Sequence, residues 1–290
     1  MNNEFGEAED LLDRAGLLDA KLPIPLDSII EYLAKDGLEL HYYDPKLAPE
    51  AIKNAAYGVD EVLHWKDGTA ALFINRKRPW TRQRFSICHG IGHFILPAHR
   101  NLDYLKRGCN TMRPLTTKPY ERQADRFAAG LNMPPSRFRR DMLELPFNMV
   151  TIHELARLYS ASVESAAIHY MQLADIPCAL VRLERIKGSS GLRSFSSPLR
   201  VRYQLSNALF PFRIQPGIIF QEFPDKVLSW KNHENQYMPE GLIKGERFGL
   251  GLEENFQAYS CYADEFGGVI ALVYPGNIEP SYVVDKSRLF

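Results

Sequence analysis

His89-Gly90-Ile91-Gly92-His93 is the stretch on which the reading of this 290-residue chain turns. Two histidines four residues apart lie on one face of a helix, so both imidazoles can reach a single metal ion. In the HExxH pattern the residue after the first histidine is a glutamate that polarises a zinc-bound water and takes its proton. Here that position is Gly90, which has no side chain. The helix therefore carries the ligand spacing of a metal site without the catalytic carboxylate. A glycine inside a helix also costs about 1 kcal/mol relative to alanine, so helix stability alone does not account for Gly90.

Two histidines need a further ligand. The sequence offers Glu121-Arg122-Gln123-Ala124-Asp125, at the start of a helix that opens at Lys118-Pro119 and stops at Pro134-Pro135. Glu121 is the candidate third ligand. Asp125, one turn on, lies on the same face and is the candidate to accept a hydrogen bond from a ligating imidazole. A rival third ligand is His99, since His89, His93 and His99 hold positions 1, 5 and 11 of the run HExxHxxGxxH. That run needs glycine at position 8 for its turn, and this chain has Leu96. Cys88 lies about 100° round the helix from His89 and reads as a buried thiol.

The surrounding chain is read from its periodicity. Residues 7–19 have the apolar spacing of an amphipathic helix, and Asp27 is a candidate cap for a second. Residues 38–43 and 70–75 read as strands, 80–96 as the helix with both histidines, and 152–159 and 163–173 as two short helices round a tight turn. Beyond Ile176-Pro177 the pattern changes to strands at 178–183, 199–205, 217–223, 258–263 and 268–274. The expected fold is α+β, with an N-terminal domain over 1–140, a helical segment over 141–176 and a β-rich domain over 177–290.

With 35 basic and 35 acidic residues the formal net charge is zero, so no global charge points to nucleic acid. Arg76, Lys77, Arg78, Arg82 and Arg84 form a local basic cluster that suits phosphates or an acidic partner, or reads as a solvated loop. The second short helix, starting Val163-Glu164-Ser165-Ala166-Ala167-Ile168, is too small and apolar to read base edges, so direct DNA binding is not expected. The four scattered cysteines lack a CxxC pair and fit a reducing cytoplasm rather than a disulfide framework. No apolar run has the length of a membrane span.

Beside these residues the chain resembles the ImmA/IrrE family of metallo-endopeptidases over roughly residues 8–175. The resemblance rests on Arg82-Gln83-Arg84-Phe85-Ser86-Ile87-Cys88-His89, on the run from Glu121 to Pro134, on Leu155-Ala156 followed by Val163-Glu164, and more weakly on Pro23-Ile24-Pro25 and Ile74-Asn75. It implies a zincin-like peptidase domain with a helix-turn-helix-like segment. Zn²⁺ would be held by His89, His93 and Glu121, and the substrate or partner would be a repressor-like protein of a stress or mobile-element response. It also implies a sensor-like C-terminal domain similar to a GAF fold. Position 90 is where the family has its catalytic glutamate, so the resemblance implies weak or absent catalysis here. A non-enzymatic protein that sequesters a regulator, or senses a ligand through its C-terminal domain, is the alternative.

Overall fold

The computed structural model describes residues 3–46, 59–66, 68–99, 119–186, 198–211, 213–220, 240–244, 256–263 and 268–275. Over these the fold is α+β, as the sequence predicts, and it divides into two compact units. The first comprises Met1–Phe138 and Ala156–Ser162, the second Arg139–Leu155 and Val163–Phe290. The helical segment expected over 141–176 is thus shared between them. No helix among the described residues is long and apolar enough to cross a membrane.

In the first unit, helix α1 (Asn3–Arg14) buries Phe5, Ala8, Leu11 and Leu12, the single stripe its spacing dictates. It ends five residues before the predicted 19. Gly16 turns the chain at φ +69°, and the Leu17 amide donates back to the Leu12 carbonyl at 2.7 Å. Helix α2 (Leu26–Ala34) starts after Pro25. Asp27, expected as its cap, lies within the first turn instead. Strands β1 (Leu38–Tyr43), β2 (Glu61–Lys66) and β3 (Thr69–Asn75) form a sheet in the order β1-β3-β2. β1 runs parallel to β3 and β2 antiparallel to it. Strand β2 is not anticipated from the sequence.

Helix α3 (Trp80–Ile95) lies between this sheet and helix α4 (Pro119–Asn132). Every residue from Ser86 to Phe94 is buried, so the segment bearing the histidines has no solvent face. Its glycines are what allow this. A Cβ built on Gly90 would fall 2.3 Å from Leu72 Cδ1 and 2.7 Å from Leu72 Cδ2, and one on Gly92 would fall 3.1 Å from Phe127 Cδ1. Gly90 brings α3 down onto β3, and Gly92 brings it against α4. The expectation that stability gives no reason for Gly90 is thereby corrected: the glycine is required by the packing of Leu72, which is fully buried.

Pro134-Pro135 ends α4 as expected, but Pro135 also opens a further helix, α5 (Pro135–Leu143). Proline suits a first helical position because its missing N–H has no partner there to lose. Helices α6 (Met149–Leu158) and α7 (Val163–Leu173) follow, with the turn made at Ser160, φ 50°.

In the second unit, β4 (Ala179–Arg185), β5 (Leu199–Ser206), β6 (Ile219–Phe220), β7 (Glu240–Lys244), β8 (Phe256–Ala263) and β9 (Val269–Pro275) make an antiparallel sheet. Its order is β6-β5-β4-β9-β8-β7. The central pair β4 and β9 has a nearly continuous buried run, as strands covered on both faces must. Of the strand expected over 217–223, residues 219 and 220 are strand, while 221–223 lie outside the described residues. Strand β7 has no counterpart among the strands expected from the sequence. Phe147 packs against Tyr170 and edge-on against Tyr274, tying the helical part of this unit to its own sheet.

Candidate metal centre

Helix α3 presents His89 and His93 one turn apart, and the first turn of α4 brings Glu121 to them. One ligand atom from each of the three lies within 4.8 Å of the others. His89 Nε2 is 3.6 Å and His93 Nε2 3.8 Å from Glu121 Oε2. These gaps are too long for hydrogen bonds. Ligands ~2.0–2.1 Å from a tetrahedral metal stand about 3.3–3.4 Å apart, so the gaps suit an ion between them after a small adjustment.

The far sides of both rings explain how they are held. His89 Nδ1 is hydrogen-bonded to Glu61 Oε1, from the start of β2. A carboxylate only accepts, so Nδ1 carries the proton and the Nε2 lone pair is left facing Glu121. His93 is fixed through a longer chain. Gln123 Oε1 accepts from His99 Nε2 at 3.1 Å, so His99 Nδ1 has the lone pair. It then accepts from His93 Nδ1, 2.9 Å away. His93 Nε2 is left as a second lone pair aimed the same way. Both Nε2 atoms are buried without a hydrogen-bond partner among the described residues. Such orphaned acceptors are costly, and a cation would satisfy both.

The electrostatics agree. Glu61, Glu121 and Asp125 surround two imidazoles that are 0% and 2% exposed. Burial opposes charge on His89, but Glu61 above all, with Asp125 and Glu121, raises it to about 9, so without an ion Nε2 also holds a proton at neutral pH, which a bound metal would displace. Burial lowers His93 to about 4, although Glu121 pulls it upward. Glu61 and Asp125 are both pushed above the usual carboxylate range, chiefly by burial, against the pull of His89. These shifts all favour bound protons at the centre, which a divalent ion would displace.

The predicted residues take unequal places. His89, His93 and Glu121 converge. His99 does not join them as a ligand: its nitrogens are engaged by His93 and Gln123, and it supports His93 from behind. Asp125 lies on the face of α4 that its spacing predicts, beside Glu121. His89 Nδ1 is held by Glu61, and Asp125 Oδ1 lies 3.5 Å from the other nitrogen, Nε2. Glu61 was missed. Cys88 is a fully buried free thiol, which burial pushes up to about 12. Nothing replaces the absent glutamate on α3, because Leu72 fills the space beside Gly90.

The basic cluster leading into α3 is partly paired with Asp60 and Asp44. Arg82 donates to Asp60 Oδ2 at 2.8 and 3.0 Å, and Arg78 pairs with the same buried carboxylate. Lys77 lies 3.2 Å from Asp44. Arg84 is 3% exposed and donates to Asn132 Oδ1 and, at 2.9 Å, to the Ile24 carbonyl, joining α3 to α4 and to the approach of α2.

Residues 48–170 match the IrrE N-terminal-like domain family. No curated protein sequence matches the chain. Among solved structures it is similar to a Mycobacterium tuberculosis transcriptional regulator, with 13% identity and a TM-score of 0.54, over 95% of this chain and 77% of that one. At that identity the likeness is one of fold.

Proposed function

Since the chain carries an IrrE N-terminal-like domain over residues 48–170, we propose that it is a zinc-binding regulatory protein of the ImmA/IrrE type. In this reading it acts on a repressor-like transcription regulator, with peptide hydrolysis weak or absent. The observation that carries the reading is the pair of buried Nε2 atoms facing Glu121, which make no hydrogen bond among the described residues. The stress or mobile-element setting comes from the family resemblance alone. The structural neighbour's description as a transcriptional regulator supports a regulatory role.

His89, His93 and Glu121 would hold the ion, and the N₂O donor set suits Zn²⁺. Bound there, zinc would supply Lewis acidity toward a peptide carbonyl and toward water. Glu61 fixes the tautomer of His89, and the His99–Gln123 pair fixes that of His93. No side chain at position 90 is available to take a proton, and such a group ordinarily contributes about 10²–10⁴ in rate. The packing of Leu72 into that space favours a second reading, a protein that binds and sequesters its regulator without cutting it.

The test is the zinc content of the purified chain beside a His89→Ala variant. About one zinc per chain, lost in the variant, is expected. A folded protein free of zinc, and unable to take it up, would overturn the metal reading and leave the binding reading.

A further inference from the structure

Glu61 holds the far nitrogen of His89, which leaves the Asp125 carboxylate to be explained. Its Oδ1 lies 3.5 Å from His89 Nε2, the nitrogen that faces Glu121 Oε2 at 3.6 Å. Two carboxylate oxygens from successive turns of α4 therefore stand at about one tetrahedral edge from the same imidazole lone pair. The Asp125 side chain keeps 33% of its surface exposed, so it has room to rotate, whereas His89 on the other side of the gap is fixed by Glu61. On α3 the position that would activate a water holds Gly90, closed off by Leu72. Asp125 stands outside the triad whose ligand atoms lie within 4.8 Å of one another, so its side chain would have to turn inward to reach an ion there, and the centre lacks the group that an open coordination position would serve.

We infer that Asp125 is a fourth protein ligand, which with His89, His93 and Glu121 closes the metal site. This rests on the metal reading above and goes beyond it. A metal held by three protein ligands keeps a position for water or substrate, whereas one held by four is structural. The ion then clamps α3 to α4 and gives the protein a metal-dependent shape to present to its partner, rather than a hydrolytic centre.

The test uses the full chain loaded with Co²⁺, whose visible spectrum reports its ligands, titrated with acetohydroxamate as a probe that needs an open position. The wild-type spectrum is expected to stay unchanged at millimolar probe, and the Asp125→Ala spectrum to shift, because the substitution vacates a vertex. An Asp125 that only oriented a ligand would leave the two proteins responding alike. A wild-type spectrum that shifts on adding the probe overturns the inference, whether or not the variant folds, and leaves the metal reading standing. If Co²⁺ fails to bind the wild-type protein at all, or binds equally to His89→Ala, both fall together.

Discussion

Replacing Gly90 by alanine gives the sharpest test of how the metal helix is seated. In a helix with room around it this substitution stabilises by about 1 kcal/mol. In α3 the new Cβ meets Leu72 Cδ1 at 2.3 Å, more than 1 Å inside carbon–carbon contact distance, and Leu72 is fully buried and cannot swing to solvent. Overpacking of this kind costs roughly 1–3 kcal/mol, and so close an approach belongs at the upper end. The net expectation for Gly90→Ala is a loss of about 1–2 kcal/mol. Leu72→Ala alone leaves a cavity and costs about 2–5 kcal/mol. In that background Gly90→Ala should become stabilising by about 1 kcal/mol, because the clash is gone and helix propensity acts unopposed. The two changes should therefore couple by about 2–3 kcal/mol. Urea denaturation followed by tryptophan fluorescence is a suitable assay, since Trp65 stacks on Phe94 of the same helix at 5.3 Å. A Gly90→Ala protein more stable than the wild type by about 1 kcal/mol, with additive effects in the double variant, would refute the packing role assigned to Gly90.

Two further outcomes are expected. Glu61→Gln keeps the size of the side chain but replaces the carboxylate behind His89, and should weaken zinc binding about 10–100-fold with the fold unchanged, as read by competition with a chromophoric chelator. Unaltered affinity would reduce Glu61 to a core residue. Glu4 joins α1 to α4 through two hydrogen bonds from Arg126, at 3.0 and 3.2 Å, and the Arg126 bonds hold its carboxyl below the ordinary 4.5. A carboxyl lowered on folding stabilises fully above its unfolded value and loses that contribution as pH falls through its folded value. The wild type should therefore lose stability below about pH 4.5 more steeply than Glu4→Gln, and identical acid limbs in the two melting profiles would exclude a role for this pair.

The helices of the site are legible because their signals are local: histidines at i and i+4, a proline at each end, and a glutamate in the first turn of the next amphipathic run. Where those helices pack is not local, and there the sequence says less. Glu61 was overlooked because β2 was. Its signal is nonetheless present in Asp67-Gly68, a two-residue hairpin sequence between 61–66 and the strand at 69–75. The hairpin puts Glu61 opposite Ile74 near the end of the sheet, but carries no sign that His89 lies beside it. The role of Leu72 has no sequence signature, since a core leucine in a strand gives no sign of the helix it will touch. One turn of spacing puts Asp125 on the face of Glu121, but it fixes a direction and not which imidazole nitrogen the carboxylate meets.

The contact between Leu72 and Gly90 also bears on what descent can do with this chain. A glutamate at position 90 would bring the same Cβ into Leu72, so a single substitution toward HExxH meets a structural penalty before it can yield any catalytic gain. Shrinking position 72 first would remove that penalty, but costs about 2–5 kcal/mol by itself. Two residues far apart in sequence thus form a ratchet. A return to the hydrolytic form therefore meets a stability loss at position 90 or at position 72 before any catalytic gain.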